Sequence, residues 1–171
     1  FSFKIPTTWN GEEMVIDPTP VLDWGTYYGG SGNDNLNRIA YSSSDAIYVV
    51  GSTLSTSKIA TSGAHQTTLG GQNDAFLVKF NSAGQRIWST YYGGSENDFG
   101  YGVACDASGN VYMCGATNSQ AGIATTGAHQ PSIGGVSTDA FLVKFNSSGT
   151  RLWGTYYGGA DHFGQGNAND H

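Results

Sequence analysis

The chain has 171 residues, 26 of them Gly and only 12% of them charged, with a formal net charge of −6. So few long charged side chains exclude a helical bundle, whose exposed faces need them, and seven cations scattered along an acidic chain exclude a phosphate-binding face for nucleic acid or anionic lipid. The 4 Trp, 10 Tyr and 8 Phe supply the bulk of a packed interior, which excludes a disordered linker and leaves an all-β chain.

In chain order, residues 1–19 hold two short apolar patches and read as a lead-in, and residues 20–30 hold one strand ending in WGTYYGG. From there the chain repeats. WGTYYGG at 24–30 returns as WSTYYGG at 88–94 and WGTYYGG at 153–159, GAHQ stands at 63–66 and 127–130, and DAFLVKFNSAG at 74–84 returns as DAFLVKFNSSG at 139–149, with a period of 64 or 65. Whole units therefore recur, at 31–94 and 95–159.

Within the second unit, aromatic and β-branched enrichment between Gly, Asn and Ser predicts four strands, over 101–106, 111–116, 139–146 and 151–157. The first two are joined by Asp-Ala-Ser-Gly-Asn and the last two by Asn-Ser-Ser-Gly, turns that offer Gly for a positive φ. Between the two hairpins runs a connection of about 22 residues, longer than compact domains usually tolerate. Four antiparallel strands per repeat is the plan of a β-propeller blade. Apolar residues on both faces of 75–80 fit blades stacked on both sides. Trp88 and Trp153, with the Tyr pairs at 91–92 and 156–157, are then packing residues.

These motifs, YYGGSxND, DASGNVYxxG, GAHQ and DAFLVKFNxxG followed by xxWxTYYGG, resemble the SBBP family of bacterial β-propeller repeats over residues 20–171. The resemblance implies a secreted or surface-attached bacterial protein, extracellular, whose propeller has no generally assigned activity. It also casts residues 1–19 as the hand-over from a preceding extracellular β segment. One departure stands out, at 42–45, where Ser-Ser-Ser-Asp replaces a Gly-containing turn.

The expected architecture is thus an incomplete ring: the last strand of a preceding blade at 20–30, a blade at 31–94, a blade at 95–159 and the start of another at 160–171. A ring needs at least four blades. The expected partners are further blades of the same polypeptide or other copies of the chain, with glycans or surface proteins on the loops. The start at Phe1, without Met or a signal-peptide pattern, reads as a processed product or a piece of a longer chain. The longest apolar run is five residues, at 46–50, against about 20 for a membrane span.

Three constellations carry candidate chemistry. GGSGNDNL at 29–36 has the letters of a calcium nonapeptide, but it recurs after 64 residues rather than nine. Asn33, Asp34, Asn97, Asp98 and Asp161 are therefore candidate calcium ligands or, on the preferred reading, Asx-turn acceptors. His65 and Gln66 with His129 and Gln130 occupy equivalent loop positions, as a lectin with one site per blade would show, or tie the loop down by side-chain hydrogen bonds. Cys105 and Cys114 flank a hairpin turn and could be joined by a disulfide if they lie directly opposite, although the equivalent Tyr41 and Val50 cannot cross-link. No nucleophile elbow, zinc-protease, P-loop or dinucleotide motif is present, and Glu12-Glu13 would point to opposite faces of a strand. The expected function is a non-enzymatic structural or adhesive module with no cofactor besides possible calcium, with carbohydrate binding or a calcium-stabilised scaffold as alternatives.

Overall fold

A computed structural model of the chain describes residues 22–135 and 137–159. It contains eight strands, β1 (Asp34–Tyr41), β2 (Ile47–Thr53), β3 (Asp74–Phe80), β4 (Arg86–Tyr92), β5 (Asp98–Cys105), β6 (Val111–Thr117), β7 (Asp139–Phe145) and β8 (Arg151–Tyr157), and no helix among the described residues. They form two four-stranded antiparallel sheets, each in chain order, β1-β2-β3-β4 and β5-β6-β7-β8. These are two propeller blades. The expected lead-in at 1–19 and the start of a further blade at 160–171 lie outside the described residues.

The strands over 111–116, 139–146 and 151–157 end within one residue of the expected bounds. The first strand of the second blade begins three residues earlier than expected, because Gly100 is not a turn residue. A Cβ there would lie 2.5 Å from Val50 Cγ2 and 2.9 Å from the Gly51 carbonyl oxygen, so the glycine lets β5 approach the first blade closely. One extra residue bulges from each innermost strand, Asn37 in β1 and Tyr101 in β5. The Asn37 Nδ2 uses that bulge to donate to the Gly100 carbonyl at 2.7 Å across the seam.

Turn chemistry follows the need for a left-handed residue. Gly84, Gly109 and Gly149 hold φ of 72°, 77° and 86°, and in the Ser-Ser-Ser-Asp turn the same place is filled by Asp45 at φ 59°. Asp is among the few non-glycine residues that visit this region.

The two sheets pack face to face. From the first blade, Tyr48, Val50, Ala75, Leu77 and Tyr92 meet Val111, Met113, Phe141, Val143 and Phe145 of the second in one buried cluster. At about 1.5–3 kcal/mol per large buried side chain, this seam is a main source of stability. The opposite face of the first sheet buries Val49, Phe76, Val78 and Tyr91 in a second cluster, against which Tyr28 packs.

The expected strand at 20–30 forms no ladder among the described residues, since a blade's last strand pairs only with the third strand of its own blade. Its side chains nevertheless hold the interface positions of a last strand. The Trp24 indole donates to the Ser82 carbonyl at 2.9 Å, as Trp88 donates to Ser147 at 3.0 Å. The Tyr28 hydroxyl donates to the Ile59 carbonyl at 2.8 Å, as Tyr92 donates to Ile123 at 2.7 Å.

Candidate functional site

The WxTYYGG motif divides its work between two blades. The first Tyr stays at home: Tyr91 donates to the Ser55 carbonyl at 2.7 Å and Tyr156 to the Ser119 carbonyl at 2.9 Å, each within its own blade. The second Tyr crosses, as Tyr28 and Tyr92 do. The Trp also crosses, its ring lying on the left-handed glycine of the next blade's hairpin. A Cβ on Gly84 would fall 2.6 Å from Trp24, and one on Gly149 would fall 2.9 Å from Trp88. The backbone joins in, with the Asp98 N–H donating to the Asn73 carbonyl at 2.7 Å. The Trp and Tyr residues are therefore packing groups, as expected.

The Asp/Asn loops are turn locks. Asp98 accepts from the Gly94 N–H at 2.7 Å, from the Ser119 hydroxyl at 2.8 Å and from the Thr117 hydroxyl. Asp34 accepts from Gly30 N–H at 2.8 Å, from Ser55 at 3.0 Å and from Thr53. Asn33 and Asn97 contribute only main-chain carbonyls, to the Leu54 and Asn118 N–H groups. These carboxylates face hydrogen-bond donors rather than further oxygens, and no group of three His, Cys, Asp or Glu is assembled among the described residues. That is the arrangement of an Asx turn. Asp161 lies outside the described residues.

Sequence reasoning missed the partner carboxylate at each seam. Asp74 and Asp98 are both buried and flank Gly93, where a Cβ would lie 2.5 Å from Asp98 Oδ2 and 2.9 Å from Asp74 Oδ1. Burial, reinforced at Asp74 by the charge of Asp98, pushes both carboxyls above the usual range despite their hydrogen bonds. The signal was present in the sequence, as the Asp that opens both copies of DAFLVKF.

The GAHQ loops separate into a brace and an exposed ring. Gln66 Nε2 donates to Asp74 at 2.6 Å and to the Thr68 carbonyl at 3.0 Å, while its Oε1 accepts from the Gly93 N–H at 3.0 Å. Gln130 repeats this with Asp139, Ser132 and Gly158. Both amides are engaged inside the protein, which is the loop-tying role. The two histidines remain open to solvent. His65 lies against Tyr92, ring centroids 6.0 Å apart, and edge-on to Phe145 at 5.8 Å, and His129 stacks on Tyr157 at 6.3 Å. The structure thus separates residues that the sequence presented as pairs.

His65 lines a cavity of about 330 Å³ between the blades, with Thr61, Ser62 and Trp88 on one wall and Thr150 and Arg151 of the next blade on the other. Arg151 Nη1 donates to the Gly122 carbonyl at 3.1 Å, and among the described residues its guanidinium meets no carboxylate. Partial burial of its inner side against the aromatic rings, then the Arg151 charge, lower the His65 pKa to about 4, so its imidazole is neutral at neutral pH. His129 and Trp153 line the equivalent hollow of the second blade, where no described blade follows to supply the second wall.

The disulfide that a directly opposed register would have allowed is not formed. The β5–β6 register pairs Cys105 with Val111 and Cys114 with Gly102, which leaves the two cysteines about three residues, or ~10 Å, out of register. They also lie on opposite faces, Cys105 against the seam cluster and Cys114 exposed, and both are free thiols.

A tract that leaves one blade by its last strand, crosses at GGSEND and builds the inner hairpin of the next blade is the joint of the structure. Residues 87–121 match SBBP, the beta-propeller repeat. The SBBP match thus straddles the seam, covering nearly all of β4 together with β5 and β6. It includes Trp88, Tyr91, Tyr92 and Asp98, whose contacts hold that seam. No curated protein matches the chain.

Proposed function

We propose that the chain is a non-enzymatic, structural and adhesive propeller module of a secreted bacterial surface protein, working through its blade faces and loops with further blades as its neighbours. One observation carries this reading: equal residues are buried in one blade and bare in the next. Leu77 and Tyr92 are 0% exposed, whereas their repeats Leu142 and Tyr157 are 37% and 69% exposed. The bare face of the second blade has the same chemistry as the buried face of the first, so it is suited to receive another blade. Sedimentation of the chain over a concentration series tests this. Association that Leu142→Arg abolishes is the expected result, and a wild-type chain that stays monomeric at millimolar concentration contradicts it.

A second reading, carbohydrate binding, is favoured by one feature, the seam cavity with its aromatic ring, neutral imidazole and hydroxyl groups. Glycan binding lost in His65→Ala supports it.

A further inference from the structure

The seam cavity differs from a neutral sugar pocket in one respect. Its lining includes one charged side chain, Arg151, and no acid. Arg151 is anchored through Nη1 to the Gly122 carbonyl at 3.1 Å and the Ile123 carbonyl at 3.4 Å, beside the Tyr92 hydroxyl, which orients the planar guanidinium and leaves some of its five donors over for a planar anion. In a chain of net charge −6, an arginine that meets no carboxylate among the described residues and borders an open cavity is a charge with donors to offer.

The other walls fit a sugar ring. Ser62 of the first blade and Thr150 of the second both line the cavity, and neither hydroxyl has an intramolecular partner among the described residues. The Thr61 and Thr90 hydroxyls are already spent on the Ser89 and Gln66 backbones, so they shape the pocket without contacting what enters it. His65 has no hydrogen bond among the described residues, and its neutral ring offers one donor and one acceptor. About 330 Å³ lies at the small end of ligand sites, the scale of a monosaccharide unit.

From this geometry we infer that the seam cavity binds a uronic acid unit of an acidic polysaccharide, with Arg151 receiving the carboxylate, Ser62, Thr150 and His65 meeting the ring hydroxyls, and Trp88 walling one side. The inference rests on the carbohydrate-binding reading and sharpens it. It also moves the site from the loop of one blade to the joint between two. The His129 hollow, lined by Leu142, Leu152 and Tyr157 in place of a guanidinium, is then only half a site.

The test is an NMR titration of the whole chain, following the Trp88 indole N–H, with sodium glucuronate, glucose and a tri-aspartate peptide at matched ionic strength. A single sugar unit is expected to bind with a dissociation constant on the order of millimolar, with glucuronate at least ~10-fold tighter than glucose or the peptide. Arg151→Gln should lose that preference and Arg151→Lys recover part of it, while His129→Ala leaves the affinity unchanged. Should Arg151→Gln fail to fold, Ser62→Tyr, at an exposed position on the facing wall, fills the cavity and should abolish binding with the melting temperature unchanged. Equal affinity for glucose and glucuronate overturns the carboxylate assignment and leaves the carbohydrate reading standing. Absence of binding by either sugar overturns both, and peptide binding as tight as glucuronate shows a general carboxylate site and overturns the glycan assignment.

Discussion

Leu77 and Leu142 occupy the same place in two copies of DAFLVKF, opposite Val50 and Cys114 in the neighbouring strand. Leu77 is 0% exposed in the seam, and Leu142 is 37% exposed on the outer face. Truncation to Ala removes about three methylene equivalents, worth roughly 2.4 kcal/mol when fully buried. At Leu77 the enclosed cavity adds to this, for a total of about 3–4 kcal/mol. At Leu142 only about two thirds of the transfer free energy is at stake and no closed cavity forms, so the cost is about 1.5 kcal/mol. The two variants should therefore differ by about 2 kcal/mol in urea unfolding at unchanged m-value, or by roughly 4–8 °C in melting temperature. Equal costs would refute the reasoning, because they would mean that the two faces are covered alike.

Gly149→Ala should destabilise by about 2 kcal/mol or more, since it combines a φ of 86° with a Cβ 2.9 Å from Trp88, and it should shift Trp88 emission. Gly63→Ala, at φ 75° with nothing within 4 Å, should cost only the backbone term of about 1 kcal/mol and leave the emission unchanged. Gln66→Leu strips a donor from buried Asp74 and an acceptor from the Gly93 N–H, so denaturant unfolding should show a loss of about 2–3 kcal/mol. A raised carboxyl pKa means that the folded state holds its proton more tightly, so Asp74 and Asp98 make stability fall as pH rises from about 3.8 through their folded values. Asp106 has the opposite sign, its pKa being held down to about 2, chiefly by the Asn110 side chain, so its contribution is lost as pH falls from about 4 towards 2. Melting temperature against pH should show both limbs, and Asp98→Asn should flatten the upper one. An unchanged upper limb would show that the buried pair is not its source.

The blades themselves were legible in the sequence, because strand period, turn glycines and a 64-residue repeat are local or self-referential signals. What stayed hidden depends on contacts across the loops and between blades, which no local pattern contains. Gly100 looks like punctuation until Val50 is placed against it, and Tyr91 and Tyr92 look alike until one is seen to serve its own blade and the other the next. The GAHQ pair offered two readings, a ligand site or a tie for the loop, because both residues are polar and repeated. Gln66 turned out to hold Asp74, eight residues away across a loop, while His65 gained its cavity only from Arg151 of the following blade. The cysteines show the same limit, since a hairpin turn does not reveal a bulge at Tyr101 or which face each thiol takes.

The central claim is that the two sheets lie face to face across the Tyr92 seam. Tyr92 and Phe141 have ring centroids 5.1 Å apart and belong to different sheets. A NOESY spectrum of the folded chain should contain cross-peaks between these two rings alongside those of the Val49–Val78 pair within the first sheet. Cross-peaks within each sheet but none between the Tyr92 and Phe141 rings would contradict the account.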